Sequence, residues 1–284
     1  MTGKSALSIR PESLGPALMW IVLGGAFLAA YLPAINSLVR AWASSDDHSH
    51  GFAILPLALY ILWQKREALR TLPLQGSWIG LMVAFVSLFF YLVAVKGEMQ
   101  TITSASMLLF IWGSVIYLFG FEMFRACLFP LLILFLMIPV PSQFIAVLTI
   151  PLQLLVTRAS VWMATLIGIP IFREGNVIQL TNGTFEVVQA CSGLRSIMAM
   201  LTLGAVLAYF TLRSNLMRSM LLLLAIPIAI VVNIFRVFVL VAVFHFMSVD
   251  LSRGTAHTVM GVAVFGVAFG LFLLISKGFA RCER

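Results

Sequence analysis

Charged residues are scarce in this chain. Only 10% of its 284 residues are Asp, Glu, Lys or Arg, whereas 62% are hydrophobic. A soluble domain usually carries about a quarter charged residues, so this chain has too few to cover a surface that faces water. Soluble enzymes, disordered proteins and disulfide scaffolds are therefore excluded. The mean hydropathy of +1.08 predicts a polytopic helical membrane protein instead. The continuous apolar stretches disfavour the alternating strands of a β-barrel.

Cysteines are also few, and they lie far apart in the sequence. Cys127, Cys191 and Cys282 form no CxxC pair, so neither a redox pair nor a cysteine zinc site is indicated, and we expect no metal or cofactor. The net charge of +8 does not come from a basic stripe with interleaved aromatic residues, which argues against a nucleic acid partner. The basic residues occur one to three at a time between apolar blocks, where they act as topology signals.

Nine apolar blocks are candidate membrane spans, at about 20 residues for each crossing. They cover residues 16–38, 51–64, 77–95, 102–120, 126–141, 144–168, 196–212, 219–245 and 258–276.

The basic clusters reduce this number to eight. All of them should face the cytoplasm, including the pair Arg213 and Arg218. With a cytoplasmic N-terminus, that pair stays inside only if block 144–168 does not cross the bilayer. This block also contains Arg158, which is costly at mid-bilayer. We therefore predict both termini in the cytoplasm and an interfacial or re-entrant helix at 144–168.

The predicted fold is an all-α polytopic membrane protein with about eight transmembrane helices, an outward-facing interfacial helix and a small β-hairpin. Residues 1–284 form a single integral-membrane domain, in which the outward-facing insertion 142–192 leads to the Cys191 segment. The hairpin prediction comes from the alternating run after Asn176, with Asn182-Gly183 as its turn. An irregular loop is the alternative. Asn182-Gly183-Thr184 also matches a glycosylation acceptor, which the turn explains more simply.

Three chemically active side chains are predicted at the same outer level. Cys191 precedes an apolar helix, whose positive N-terminal dipole favours a thiolate. Arg236 lies about 25 Å up the helix that starts near residue 219, and Asn233 shares its face. His257 opens the last span. In such a trio the imidazole accepts and returns the thiol proton, while the guanidinium stabilises the thiolate or an oxyanion.

Each of these residues also has a simpler interpretation. Cys191 is as readily a small packed side chain, Arg236 an arginine that reaches outer headgroups, and His257 a headgroup contact at the interface. Only the convergence of the three favours a thiol acyl-transfer site, as in a protease or a transpeptidase.

The same segments resemble the exosortase/archaeosortase family of integral-membrane cysteine transpeptidases. The similarity covers residues 45 to 265 and rests on EVVQACSGLRS around Cys191, on Asn233-Ile234-Phe235-Arg236 and on His257. Further family-like segments are Ser49-His50-Gly51-Phe52, Leu59-Tyr60-Ile61-Leu62-Trp63 and Arg173-Glu174-Gly175-Asn176.

The resemblance implies Cys191 as nucleophile, Arg236 as catalytic arginine and His257 as third residue. It implies as substrates exported proteins that end in a short motif, a hydrophobic helix and a basic tail, as PEP-CTERM proteins do. Cleavage would leave an acyl-enzyme that an unknown acceptor nucleophile resolves. A multi-pass protein of the bacterial inner membrane is implied, with its site on the periplasmic side and an association with exopolysaccharide production.

Supporting roles are expected for a second set of residues. Arg195 lies one helical turn past Cys191, and His50 opens a span beside Gly51. The remaining expected supporting residues are Asn233 and Glu186. Small residues of the last span also offer a docking face for a substrate helix, with packing inside the monomer as the alternative. They are Gly261, Ala263, Gly266, Ala268 and Gly270.

Two other functions compete with the transpeptidase. An intramembrane metalloprotease would use acidic residues and histidines predicted on the outer side, although no HExxH motif occurs. These residues are Asp46, Asp47, His48, His50, His245 and His257. A transporter or lipid-handling protein would line a polar path with Asn233 and Arg236. Paired interrupted helices in two related halves would support a transporter, and the sequence has none.

Overall fold

The computed structural model describes residues 14–44, 48–181, 183–186, 194–249 and 254–283. The predicted fold class, an all-α polytopic membrane protein with a small sheet, is confirmed. The early helices are α1 (Leu14–Ser44), α2 (Gly51–Gln64), α3 (Arg66–Arg70), α4 (Trp78–Lys96), α5 (Gln100–Phe119), α6 (Phe121–Ala126) and α7 (Leu128–Ile133), which a 3₁₀ turn (Leu134–Met137) extends. Later elements are α8 (Ser142–Leu166), β1 (Ile171–Glu174), β2 (Val177–Leu180), β3 (Gly183–Glu186), α9 (Leu194–Thr211), α10 (Asn215–Met247) and α11 (Gly254–Cys282).

Six helices in the described part of the chain are long and apolar enough to cross a bilayer, and three shorter apolar helices accompany them. The six candidate spans are Leu18–Ser44, Trp78–Lys96, Gln100–Phe119, Val147–Leu166, Asn215–Met247 and Thr258–Cys282. Because Val147–Leu166 is among them and the shorter helices qualify less clearly, the count of eight spans stays a prediction.

The chain forms two compact units. The first comprises residues 1–41 and 72–124, and the second comprises residues 42–71 and 125–284. In the first unit, α4 and α5 pack closely because glycines face each other: a Cβ on Gly113 would lie 2.6 Å from the backbone nitrogen of Ala84. Tyr91 on α4 donates a hydrogen bond of 2.7 Å to the carbonyl of Ala30 on α1. Close approach through small residues is typical of helix packing in membranes.

The second unit has a basic end, defined here by Lys65, Tyr209, Arg218 and Glu283. Lys65 donates to the carbonyl of Ala126 at 2.8 Å, and its ammonium lies 5.2 Å from the centre of the Tyr209 ring. The Arg218 guanidinium lies 5.6 Å from the same ring. Glu283 accepts hydrogen bonds of 2.8 and 2.9 Å from the backbone amides of Arg213 and Ser214. The structure thus brings together, at one end of this unit, residues of three predicted cytoplasmic segments.

The first residues of α2 lie at the opposite end of the second unit. Trp42 donates to the carbonyl of Met137 at 2.9 Å, and His50 donates to that of Leu136 at 3.1 Å. Gly51 is required here, because a Cβ on it would lie 2.6 Å from Cδ1 of Trp42. The segment from Ala126 to Met137 therefore runs from the basic end to the far end.

Helix α8 starts at Ser142, close to that far end. It follows Met137, and the residues after it pack against the C-terminal part of α10, away from Arg218. The core cluster formed there contains Val156, Ala164, Ile169, Ile178, Leu180, Val237, Leu240 and Val241. Ser160 also donates to the carbonyl of Ile234 on α10 at 2.9 Å. Residues Val147–Leu166 of α8 are also long and apolar enough to cross a bilayer, so the interfacial or re-entrant course of this helix stays a prediction.

The predicted hairpin is present, with two differences. Strands β2 and β3 pair antiparallel, but Leu180 pairs with Gly183, so the loop lies one residue earlier than the predicted Asn182-Gly183 turn. Gly183 instead starts β3 at a φ of +149°, and Phe244 lies 3.4 Å from where its Cβ would be. A third strand, β1, pairs with β2 across a two-residue turn in which Gly175 takes a φ of +60°. A glycine at the first position of such a turn is typical of type II′ hairpins.

Candidate functional site

Asn233 and Arg236 lie on one face of α10, toward its outer end. Arg236 is 21 residues from Asn215 at the basic end, which is about 32 Å along the helix. It comes three positions after Asn233, so the two side chains are neighbours on the helix surface. Asn233 is only 3% exposed, and Arg236 is half-buried. Neither residue is therefore presented fully to lipid, as the sequence-based prediction of an inward-facing polar pair requires.

Three helices meet at these two residues and enclose a small cavity of about 20 Å³. Helices α9, α10 and α11 each contribute to its walls. The lining residues are Ser196, Met200, Ala229, Val232, Asn233, Arg236, Gly261, Val264, Phe265 and Ala268. Three of them are polar, which leaves room and partners for about one water-sized polar group. We call this the Asn233 cavity.

The Asn233 side chain is unusual among the described residues because both of its polar atoms lack a hydrogen-bond partner there. Its Nδ2 and Oδ1 atoms are both buried. A buried amide without partners costs roughly 1–3 kcal/mol, and buried polar groups in native proteins are nearly always paired. Asn233 thus presents two polar atoms to the cavity wall for which the described residues supply no partner.

Arg236 lies against the backbone of α11. A Cβ on Gly261 would be 3.3 Å from Nη2, 3.6 Å from Cζ and 3.9 Å from Nη1 of Arg236. Gly261 follows His257 by four residues, one helical turn, so both backbone positions lie on the same face of α11. The structure thus brings Arg236 next to the turn of helix that carries His257, whose side chain lies outside the described part.

Cys191 lies outside the described residues. The described chain resumes at Leu194, and Ser196, five residues after the cysteine, lines the Asn233 cavity. Arg195 occupies the second position of α9, and its side chain also lies outside the described part. The helix that follows Cys191 therefore leads directly into the wall that Asn233 and Arg236 share.

His50 and Glu186 are the other expected supporting residues. His50 does not line the Asn233 cavity: its ring bonds to the Leu136 carbonyl, which makes it an anchor between the start of α2 and the 3₁₀ turn. Glu186 ends β3 opposite Val177, and its side chain lies outside the described part. The catalytic and supporting roles of all these residues stay predictions.

No group of three or more His, Cys, Asp and Glu side chains that could hold a metal ion occurs within the described ranges. Asp46 and Asp47, which the metalloprotease alternative requires, lie outside those ranges. Of the other cysteines, Cys127 is buried and Cys282 is exposed, and both are free thiols.

Sequence reasoning missed Ser196 as part of the site and assigned Gly261 to a different role. Gly261 was expected in a docking face for a substrate helix, but its open side is occupied by Arg236. Ala268, from the same predicted face, is buried at 1% exposure. The one-turn spacing from His257 could have identified Gly261, and the position of Ser196 one turn into α9 could have identified that residue.

The family model described as transmembrane exosortase matches residues 42–274, most of the chain. A search of the curated proteins and a search of the solved structures found no match.

Proposed function

This chain belongs to the transmembrane exosortase family, and we propose that it is a membrane-embedded cysteine transpeptidase that uses Cys191, Arg236 and His257. Family membership supports a membrane protease or transpeptidase role. The Asn233 cavity is the main support for the proposed catalytic residues.

One observation carries this proposal: three helices converge on a single cavity. Helix α9 follows Cys191 and contributes Ser196, α10 contributes Arg236, and α11 follows its His257 turn with Gly261. The helix that follows Cys191, the helix that carries Arg236 and the helix turn that follows His257 thus share the walls of one cavity, which supports the proposal. A structure in which they were scattered would favour a solute path or a structural role for Arg236.

The proposed reaction is acyl transfer through a thioester. The Cys191 thiolate attacks the scissile carbonyl, and Arg236 stabilises the negative charge that develops on the carbonyl oxygen. The C–N bond then breaks, and the imidazolium of His257 gives its proton to the leaving amine. An acceptor nucleophile attacks the thioester and releases Cys191, with His257 taking the acceptor's proton.

The proposed substrates are exported proteins with a C-terminal hydrophobic helix and a basic tail. Helix α11 supports this idea, since Gly266 and Gly270 both have open space where a Cβ would lie. A GxxxG spacing on an open helix face suits the close approach of another membrane helix. The basic tail of such a substrate would lie level with the basic end, in the cytoplasm, while its cleavage motif reaches the level of Arg236. The site would then face the periplasm of a bacterial inner membrane.

Co-expression with a tagged substrate of this type tests the proposal. We expect the wild-type chain to shorten the substrate and Cys191→Ala to leave it full length, while the variant still accumulates in the membrane. Cys282→Ala is the matched control, because this exposed thiol lies outside the proposed site, and it should process normally. Normal processing by Cys191→Ala would overturn the assignment of the nucleophile.

A further inference from the structure

The guanidinium of Arg236 lies on a surface that exists only because residue 261 has no side chain. Three of its atoms come within 3.9 Å of the point where a Cβ would be, the nearest at 3.3 Å. Even a methyl group at that distance would require the guanidinium to shift by a few tenths of an ångström. The position of the cation is therefore coupled to the identity of residue 261.

This feature is specific to Gly261 among the glycines compared on α11. A Cβ on Gly266, Gly270 or Gly278 would meet nothing within 4 Å. Glycine is less favourable than alanine in a helix interior. At the three open positions a larger residue would fit, whereas at 261 it would displace a charged side chain.

An arginine side chain is long and flexible, so its charge stays at one position only if neighbouring atoms confine the guanidinium. The free side chain samples many rotamers, so the atoms around it decide where the guanidinium rests. On one side the wall includes Asn233, which is one turn away on the same helix, and on the other it is the α11 backbone at Gly261. Since Gly261 is one turn from His257, this surface also sets how far the cation lies from the imidazole-bearing turn.

We propose that Gly261 is a positioning residue: it seats Arg236 against α11 at the level required for catalysis. This inference rests on the proposed function, because it gives Arg236 a catalytic task. Gly261 itself contacts no reacting atom and acts through the arginine.

Side-chain size at position 261 tests the inference, with position 278 as the control. The variants are Gly261→Ala, Gly261→Val, Gly278→Ala and Gly278→Val, all in the full chain in detergent or lipid. A displacement of about 1 Å can cost about 100-fold in rate, so we expect kcat to fall about 100-fold in Gly261→Val and by less in Gly261→Ala. KM should stay near the wild-type value, because substrate binding is not removed. Both Gly278 variants should retain wild-type kcat.

The outcomes separate this inference from the proposed function. If wild type processes substrate, Cys191→Ala does not, and Gly261→Val has wild-type kcat, the positioning role is wrong while the enzyme assignment stands. If Cys191→Ala processes substrate normally, the proposed function itself fails. Thermal unfolding tests whether Gly261 serves helix packing only. If Gly261→Val loses both kcat and stability while Gly278→Val loses neither, the loss of kcat is explained by packing, and the inference is overturned.

Discussion

The two ends of the second unit differ in one buried polar side chain. At the basic end, Lys65 and Glu283 have hydrogen-bond partners, and Arg218 donates to the carbonyl of Leu212 at 3.0 Å. Thr211 and Ser276 also share a hydrogen bond of 2.7 Å there. At the cavity end, the amide of Asn233 is buried with no partner among the described residues.

This difference agrees with the proposed function, in which the basic end is structural and the cavity end reacts. Paired polar groups hold helices together, and their cost of burial is offset within the protein. Burying an amide without a hydrogen-bond partner lowers the stability of the fold. Such unfavourable features are expected where a protein binds or reacts. Substitutions at the cavity end should therefore reduce activity and spare stability, while substitutions at the basic end should do the reverse.

Arg236→Lys should produce the largest effect on activity in this comparison. Lysine keeps the charge but loses the planar fork that can bind an oxyanion through two parallel N–H groups. We expect kcat/KM to fall at least about 100-fold while the unfolding temperature changes little, as measured with a tagged substrate and a thermal shift assay. Turnover equal to that of wild type would reduce Arg236 to a structural charge.

Asn233→Leu sharpens the comparison further. Replacing an unsatisfied buried amide with an apolar side chain of similar shape can be neutral or stabilising, so the unfolding temperature should stay level or rise. Activity should fall about tenfold, which corresponds to the loss of a single hydrogen bond to a substrate or catalytic group. A variant that loses stability and activity together would contradict this account, because it would show that Asn233 is paired in the native protein.

Arg218→Met tests the basic end. It removes the hydrogen bonds to Leu212 and to Asn215, the second at 3.3 Å, and the contact with the Tyr209 ring. We expect a loss of roughly 1–3 kcal/mol in unfolding free energy with kcat unchanged. Lys277→Met is the matched control, since Lys277 is an exposed cation of the same end, and it should change stability by much less. If Arg218→Met lost kcat but kept its stability, the assignment of the basic end to a structural role would be wrong.

Glu283→Gln should have the smallest effect, visible only in the dependence of stability on pH. Hydrogen bonds from the Arg213 and Ser214 amides, with the nearby charges of Arg218 and Arg213, lower the pKa of this carboxyl from its ordinary value of 4.5. A lowered pKa in the folded state gives stabilisation that is present above pH 4.5 and is lost as the pH falls through the folded value. Thermal scans from about pH 7 to about pH 3 should therefore show a smaller acid-induced decrease in the variant. An identical decrease in both proteins would mean that the hydrogen bonds from the Arg213 and Ser214 amides to Glu283 do not stabilise the folded state.

Much of this arrangement could be predicted from local sequence. Apolar blocks gave the helices, and the alternating run before Asn182 gave a hairpin. The i, i+3 spacing placed Asn233 and Arg236 on one face. Strand β1 escaped prediction because four residues, Ile171–Glu174, are too few to show a period, and their strand character comes from pairing with β2.

What the sequence could not supply is contact between distant helices. Gly261 resembled its neighbours Gly266 and Gly270, and only the packing of α10 against α11 distinguishes it. The ring of His50 similarly bonds to a carbonyl 86 residues away, a contact that its sequence neighbours do not indicate. Such long-range pairings depend on how the helices are arranged, which periodicity does not encode.

The central claim is that Cys191 lies beside the His257 turn of α11, and thiol cross-linking measures this directly. In a background with Cys127→Ser and Cys282→Ser, the pair Cys191 and His257→Cys should form an intramolecular disulfide, which requires Cα atoms within about 7 Å. Gly278→Cys, about 32 Å further along the same helix, should not pair with Cys191. Efficient cross-linking at position 257 and none at 278 is the result that this account predicts, whereas cross-linking at 278, or none at 257 in a folded protein, would contradict it.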